Sequence, residues 1–219
     1  MRAPSLGNHR RFIRNALLLL GGVLPWHTDG ARAFDSTYSQ VNSRACRTVE
    51  KRQVEGHIYG TTQLCRGRNG YWVLVHDEDE RQMVSFGRTA AEARNQPAAQ
   101  QGFAAFTEVG PTIEWRIDGG SAFATIQRWY VRLGGSTANV LVVTRLPPGP
   151  VCHVAYIDAG ANRNANVLAR RAADALAPTF RCGRDAPTTY GEVGSVLRSI
   201  LPAEPRLRDG SRSSLASSR

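Results

Sequence analysis

Apolar and polar positions alternate through much of the chain between residues 43 and 182. In residues 113–117 a large apolar side chain stands at every second position, with Glu114 and Arg116 between them, the pattern of a half-buried strand. Residues 140–143 are apolar at every position, so we expect them at the centre of a sheet. The pattern therefore predicts a mainly β fold.

Turn residues divide the remaining apolar runs into further strands. Asn69-Gly70 is a hairpin turn signal, and the acidic run at 77–80 predicts a second turn. We expect strands at residues 43–50, 57–65, 71–75, 82–86, 123–131 and 151–158.

Helical spacing is confined to one late segment. Leu168, Ala172 and Leu176 recur every four residues, and Pro178 follows, which predicts a helix over residues 162–177. The fold class is therefore mainly β (α+β): an antiparallel sheet, as a sandwich or a partly open barrel, with one C-terminal helix packed on it.

The two ends of the chain differ from this β-rich part. Residues 1–33 combine an arginine-rich start, a short apolar run and Ala31-Arg32-Ala33, the features of a signal peptide cleaved before Phe34. The apolar run covers about ten residues, whereas a membrane span needs about twenty. Arg10-Arg11 leaves both ordinary secretion and twin-arginine export open. Residues 183–219 are rich in Ser, Arg, Pro and Gly, and we expect a disordered tail with a helical turn near 193–200. The folded domain is predicted at residues 34–182.

Four cysteines lie in the predicted mature chain, at Cys46, Cys65, Cys152 and Cys182. An exported protein favours disulfides over catalytic or metal-bound thiols, and no C-x-x-C motif occurs. Three pairings are open. We prefer Cys46–Cys65 and Cys152–Cys182, because each pair brackets a local structural unit.

Charge argues against a nucleic-acid partner. The whole chain carries +10, and removal of the leader, with five arginines and one aspartate, leaves 23 basic and 17 acidic residues, or +6. The basic residues are scattered among acids and form no dense stripe of the kind that nucleic-acid-binding proteins carry. After cleavage no segment is apolar enough to span a membrane, so we expect a periplasmic or secreted location.

The run VCHVAYID, residues 151–158, is the one stretch that resembles catalytic chemistry. Successive side chains of a strand point to opposite faces, so Cys152 and His153 cannot form a dyad. We expect a disulfide at Cys152 and a hydrogen-bonded core histidine at His153, on one face with Val151, Ala155 and Ile157. His76 and the acidic run after it are interpreted as solvated hairpin charge. No catalytic, metal or cofactor site is predicted.

The connection at residues 90–109 has mixed signals and is the best place for a binding surface. It fits equally well a surface crossover between two sheets. We expect any partner-binding surface to use polar residues of this connection and of the strand at 113–117. These are Arg94, Asn95, Gln96, Glu114 and Arg116.

Ordered segments of the chain resemble those of an uncharacterised family of short exported (periplasmic) proteins of Gram-negative bacteria. The segments are ARNQPAAQQGF (93–103), TIEWR (112–116), FATIQRWY (123–130), VLVVTR (140–145) and CHVAYIDAGANRNANVLARR (152–171). The resemblance implies a periplasmic location and carries no known activity.

These observations favour a periplasmic or secreted binding or envelope-accessory domain without catalytic activity. Its partner would be an envelope protein or a glycan. Two alternatives stay open: a hydrolase acting on envelope material through a site without a sequence motif, and an inhibitor of an envelope-degrading enzyme.

Overall fold

A computed structural model describes residues 34–42 and 44–201 of the chain. The predicted leader and residues 202–219 lie outside the described residues. The described part is mainly β, as the alternation predicts. Its strands are β1 Asp35–Gln40, β2 Cys46–Val54, β3 His57–Arg66, β4 Trp72–Glu78, β5 Arg81–Gly87, β6 Phe106–Asp118, β7 Ser121–Leu133, β8 Ser136–Arg145, β9 Cys152–Asp158 and β10 Thr188–Thr189. Its helices are α1 Ala90–Arg94, a 3-10 helix Pro97–Gln100, α2 Ala165–Leu176 and α3 Ser195–Ile200.

The strands of the described residues form one mixed sheet that is not closed. Its order is β10-β9-β8-β7-β6-β5-β4-β3-β2. Strand β1 pairs with residues 112–117 of β6, beyond the point where β5 pairs with it. Most neighbours are antiparallel, but β5 with β6 and β9 with β10 are parallel. Each parallel pair is joined through helical segments, because a chain must cross over before it can run again in the same direction. The predicted antiparallel pairing holds for the other strand pairs, and the two parallel pairs make the sheet mixed.

Two cores lie on opposite faces of this sheet. The main core is built around Trp115, Trp129 and Phe86, all fully buried. The second core lies beneath α2, where Ala169, Ala172 and Ala173 are fully buried. Leu168 and Leu176 are only partly buried and pack at the margin of this second core. The helix is confirmed. The residues that it buries are alanines, whereas the predicted stripe contained two leucines.

Both preferred disulfides are confirmed. Cys46 and Cys65 are direct cross-strand partners in β2 and β3. Cys152, the first residue of β9, is bonded to Cys182, which follows α2. The second bridge therefore ties the strand to the end of the helix that returns over it.

The predicted tail boundary at residue 183 needs correction. Residues 188–189 add β10 to the sheet, and Leu197 of α3 is 0% exposed in the main core. The expected helical turn near 193–200 is present as α3. Composition predicted disorder because this stretch has few apolar residues, yet within its described part Leu197 and Ile200 are buried in the main core.

Candidate functional site

The five residues of the predicted partner-binding surface do not lie together. Glu114 and Arg116 are only 7% and 5% exposed, on the sheet face that α2 covers. Arg94 lies at the end of α1, where it is half-exposed. Gln96 Oε1 accepts a hydrogen bond from the Val151 backbone N–H at 2.8 Å, so this side chain fixes the backbone that leads into β9. Arg94 lines an open groove.

Glu114 and Arg116 instead form a buried network that attaches α2. Arg170 donates to Glu114 through Nε at 2.6 Å and Nη2 at 3.2 Å. Arg116 donates to Asp174 through Nε at 2.9 Å and Nη2 at 2.7 Å. Ser36 of β1 bridges the two pairs, because it accepts from Arg116 and donates to Glu114. Burial and pairing leave neither Glu114 nor Arg116 available to a ligand, and we assign the network a structural role.

In the run VCHVAYID, the disulfide at Cys152 and the core position of His153 are confirmed. Cys152 is in a disulfide, and His153 is fully buried with Nδ1 3.1 Å from the Tyr156 hydroxyl. Burial lowers the pKa of His153 to about 3 and raises the pKa of Tyr156. The predicted faces are wrong beyond His153, because a β-bulge at the Val143/Thr144 step shifts the alternation. Ala155 and Ile157 consequently pack in the core beneath α2.

The groove beside Arg94 lies on the outer face of strands β2 to β5. Cross-strand register places Glu50, Thr62, His76 and Met83 side by side in one row. The groove has a volume of about 430 Å³. We call it the His76 groove. Its lining residues are Thr62, Leu74, His76, Glu78, Met83, Arg94, Ala99 and Gln100.

Helix α1 forms a fixed wall of the His76 groove despite its five residues. Thr89 caps it by accepting from the Glu92 N–H at 3.0 Å, and Glu92 accepts from the Arg88 N–H at 2.7 Å. A Cβ added at Gly87 would stand 2.4 Å from the Ala93 backbone nitrogen. Glycine at this position thus lets α1 lie directly on β5.

The 3-10 helix continues this wall and is tied to β9. The Ala98 N–H donates to the Val151 carbonyl at 3.0 Å, and Gln101 Oε1 accepts from the His153 N–H at 2.7 Å. These bonds use the carbonyl of Val151, the residue before β9, and the N–H of His153 within it. The connection at 90–109 therefore leads into β6 as a crossover within one sheet, not between two sheets, and it forms a wall of the groove. Its use as a binding surface stays a prediction.

Two ion pairs each join a lining residue of the His76 groove to a neighbouring residue outside its lining. Arg94 Nη1 lies 2.9 Å from Glu50 Oε2, and Arg52 pairs with Glu78 above Gly60. The Arg94 hydrogen bond, followed by its charge, lowers the pKa of Glu50. The second pair is also within reach of His76, because Nε2 lies 3.5 Å from Glu78 Oε2.

Thr62, His76 and Glu78 form a hydroxyl–imidazole–carboxylate series, the composition of a hydrolytic triad. Thr62 Oγ1 lies 3.1 Å from His76 Nδ1. However, Thr62 is 1% exposed, so its hydroxyl has little access to a polymer substrate. The hydrogen bond between Thr62 and His76 holds the imidazole in one orientation. We interpret this contact as structural because the hydroxyl is buried.

The described residues contain no group of three or more His, Cys, Asp or Glu side chains that could hold a metal ion. Neither α2 nor any other helix in residues 34–42 and 44–201 has the length and apolar character of a membrane span.

Sequence reasoning missed Glu50, Arg52 and Thr62 as groove residues. The sequence signal that was available is the alternation in β4, which places His76 and Glu78 on one face. The position of Glu50 opposite Thr62 depends on irregularities between Thr48 and Glu50 and between Arg52 and Gln53 in β2, which alternation does not reveal.

No protein-family model, curated protein or solved structure matches this chain. The resemblance of its segments to an exported Gram-negative family stays a prediction, and the argument for function rests on the groove.

Proposed function

We propose that the protein is an exported binding domain, periplasmic or secreted, without catalytic activity, and that its partner docks in the His76 groove. The observation that carries this proposal is the combination of fixed walls with half-exposed charges. Arg94, Glu50 and Arg52 are held in ion pairs at the surface of a sheet, where a partner can reach them. Rigid walls lower the ordering cost of binding.

Export supports the proposal but is a separate prediction. Two disulfides fit an oxidising compartment, and the leader at 1–33 has the features of a cleaved signal. N-terminal sequencing of the mature protein should begin at or within a few residues of Phe34. A full-length product retained in the cytoplasm would contradict this prediction.

The groove is tested with variants that change its charge and leave the cores alone. We expect the wild-type protein to retain a defined component from an envelope extract, which contains both proteins and glycans. Arg94→Ala and Glu78→Ala should lose that component, because each removes a charge from the groove. Both variants should still fold, since exposed ion pairs contribute little to stability. Arg132→Ala is the matched control, since Arg132 is similarly exposed and pairs with Glu80 and Glu108 outside the groove. Equal retention by all variants would refute the groove as the binding site.

A hydrolase acting on envelope material is the second candidate, and the Thr62–His76–Glu78 series is the observation that favours it. If Thr62 were a nucleophile, hydrolysis of envelope polymers by the purified protein would disappear in Thr62→Val and in His76→Ala. Hydrolysis that disappears in both variants, with folding retained, would replace the binding proposal. We expect no such hydrolysis in the wild-type protein.

A further inference from the structure

The His76 groove contains more hydrogen-bond donors than its own carboxylates use. Glu50 is paired with Arg94, and Glu78 faces Arg52 and His76. In the described part of the chain, the Arg94 guanidinium meets one carboxylate and does so through Nη1 alone. Because a guanidinium carries five N–H donors in a planar fork, Arg94 retains donors on Nε and Nη2. The unused hydrogen-bond donors are therefore those of a planar guanidinium, and a carboxylate is the group that accepts from two such donors at once.

Apolar side chains adjoin these donors in the same groove. Leu74 is buried against Leu64 and Ala93, and its side chain closes the floor. Met83 and Ala99 are half-buried and line the groove on the β5 side. A simple inorganic anion would use Arg94 and leave this apolar surface in water. A ligand that joins a carboxylate to an apolar group would use both.

The size and rigidity of the groove suit a short segment of chain. Its volume of about 430 Å³ lies within the range of sites for small ligands, about 300 to 1,000 Å³. Gln100, on the 3-10 helix, adds an exposed amide that can pair with a peptide group. The last residue of a polypeptide carries a carboxylate, a side chain and a peptide N–H within one unit, and capture of such chain ends is a known mode of recognition.

We propose that the His76 groove binds the carboxyl-terminal end of a partner polypeptide whose last side chain is apolar. The terminal carboxylate bonds to the free donors of Arg94, and the last side chain lies on Leu74, Met83 and Ala99. This inference rests on the function proposed above and names its ligand class.

Labelled peptides that differ only at their carboxyl end test the inference by fluorescence anisotropy. The probes are a mixture of decapeptides ending in Leu, Val, Met or Phe with a free carboxylate, and the same mixture with a terminal amide. We expect the free-acid mixture to bind at least about tenfold more tightly, because a charge-assisted hydrogen bond is replaced by a neutral one. A third mixture with a free carboxylate on a terminal Lys or Asp should bind as weakly as the amides.

Variants of the full mature protein assign the effect to Arg94. Arg94→Gln should weaken binding of the free acids by about tenfold to a hundredfold and leave binding of the amides unchanged. Arg94→Lys keeps the charge without the fork and should fall between Arg94→Gln and wild type. Arg132→Gln is the matched control and should bind as wild type does. Thermal midpoints measured in parallel confirm that each variant is folded.

Equal binding of acids and amides, an unchanged affinity in Arg94→Gln, or no binding of any peptide would overturn the inference. Its failure is distinguishable from failure of the binding function. If Arg94→Ala and Glu78→Ala still abolish retention of an envelope component while no free-acid peptide binds, the groove is a binding site for another class of ligand. If neither assay depends on the groove, both proposals fail.

Discussion

At the scale of single residues, His153 shows how burial decides chemistry. Its ring is packed edge-on against Trp129 and Tyr156, with centroids 5.3 and 5.7 Å away. In that surrounding the charged imidazolium loses its hydration, so the neutral form is strongly preferred. The sequence placed this histidine in the core from the apolar residues around it, and the structure confirms that placement.

The stability of the protein should depend on His153 below neutral pH. Burial lowers its folded-state pKa from 6.5 to about 3, so between these values the unfolded chain binds a proton that the folded chain does not. The free energy of unfolding therefore falls as pH decreases through this window, and the contribution is complete above pH 6.5. Between pH 7 and 4.5 it amounts to roughly 2 to 3 kcal/mol, at about 1.4 kcal/mol per pKa unit.

Urea unfolding of His153→Gln at the two pH values measures this contribution. Between pH 7 and 4.5 the free energy of unfolding of His153→Gln should fall by roughly 2 to 3 kcal/mol less than that of wild type. This difference does not depend on the stability of the variant at pH 7. His57→Gln, a change at an exposed histidine of β3, should leave the pH dependence unchanged. An identical slope in His153→Gln and wild type would contradict the assignment.

At the scale of elements, α2 is attached by three kinds of interaction. Its alanine face approaches the strands closely but buries little area, and its Arg170 and Asp174 pair with Glu114 and Arg116 of β6. The Cys152–Cys182 bridge then ties the chain beyond the helix to β9. A helix of 12 residues is marginal by itself in water, so these attachments decide its stability.

Replacement of Cys152 and Cys182 together by serine should loosen α2 before it disrupts the sheet. The bridge spans 30 residues, and its loss restores unfolded-state entropy worth about 3 to 4 kcal/mol in the chain-entropy model. Hydrogen exchange should show lost protection over residues 167–176 while residues 140–143 stay protected. Cys46→Ser with Cys65→Ser is the comparison, because that bridge joins β2 to β3 and leaves α2 attached. Simultaneous loss of protection in helix and central strands would contradict the prediction.

At the scale of the whole molecule, the residues after Cys182 complete the main core. Leu197 of α3 is fully buried, and Asp158 at the end of β9 accepts a hydrogen bond from the Gly194 N–H at 2.9 Å. The main core thus joins side chains from β3 to α3, so its stability depends on a segment that composition alone assigned to a disordered tail.

Leu197→Ala should therefore destabilise the entire domain. Removal of a fully buried leucine side chain costs about 2 to 5 kcal/mol, which includes the cavity left behind. Urea unfolding followed by tryptophan fluorescence would report it, because Trp115 and Trp129 share this core. Ser195→Ala, at an exposed position of the same helix, is the control and should change stability little. Equal stability of Leu197→Ala and wild type would show that α3 is dispensable.

The sequence by itself determined the features that depend on short-range patterns. Alternation of apolar residues located β2 to β9, because successive side chains of a strand point to opposite faces, but it did not predict β1 or β10. Four-residue spacing located α2. The number and grouping of the cysteines indicated both disulfides. Each of these signals lies within a few tens of residues and needs no knowledge of what packs on top.

Only the tertiary structure decided which face of each strand is covered. Glu114 and Arg116 have the pattern of exposed strand residues, yet partners 56 and 58 positions later in the chain bury them. The same holds for the His76 groove, which joins Glu50, His76 and Arg94 through strand register, two irregularities in β2 and a helix capped by Thr89. Alternation tells which side chains share a face, whereas the identity of the element that covers that face depends on the free energy of packing between distant segments.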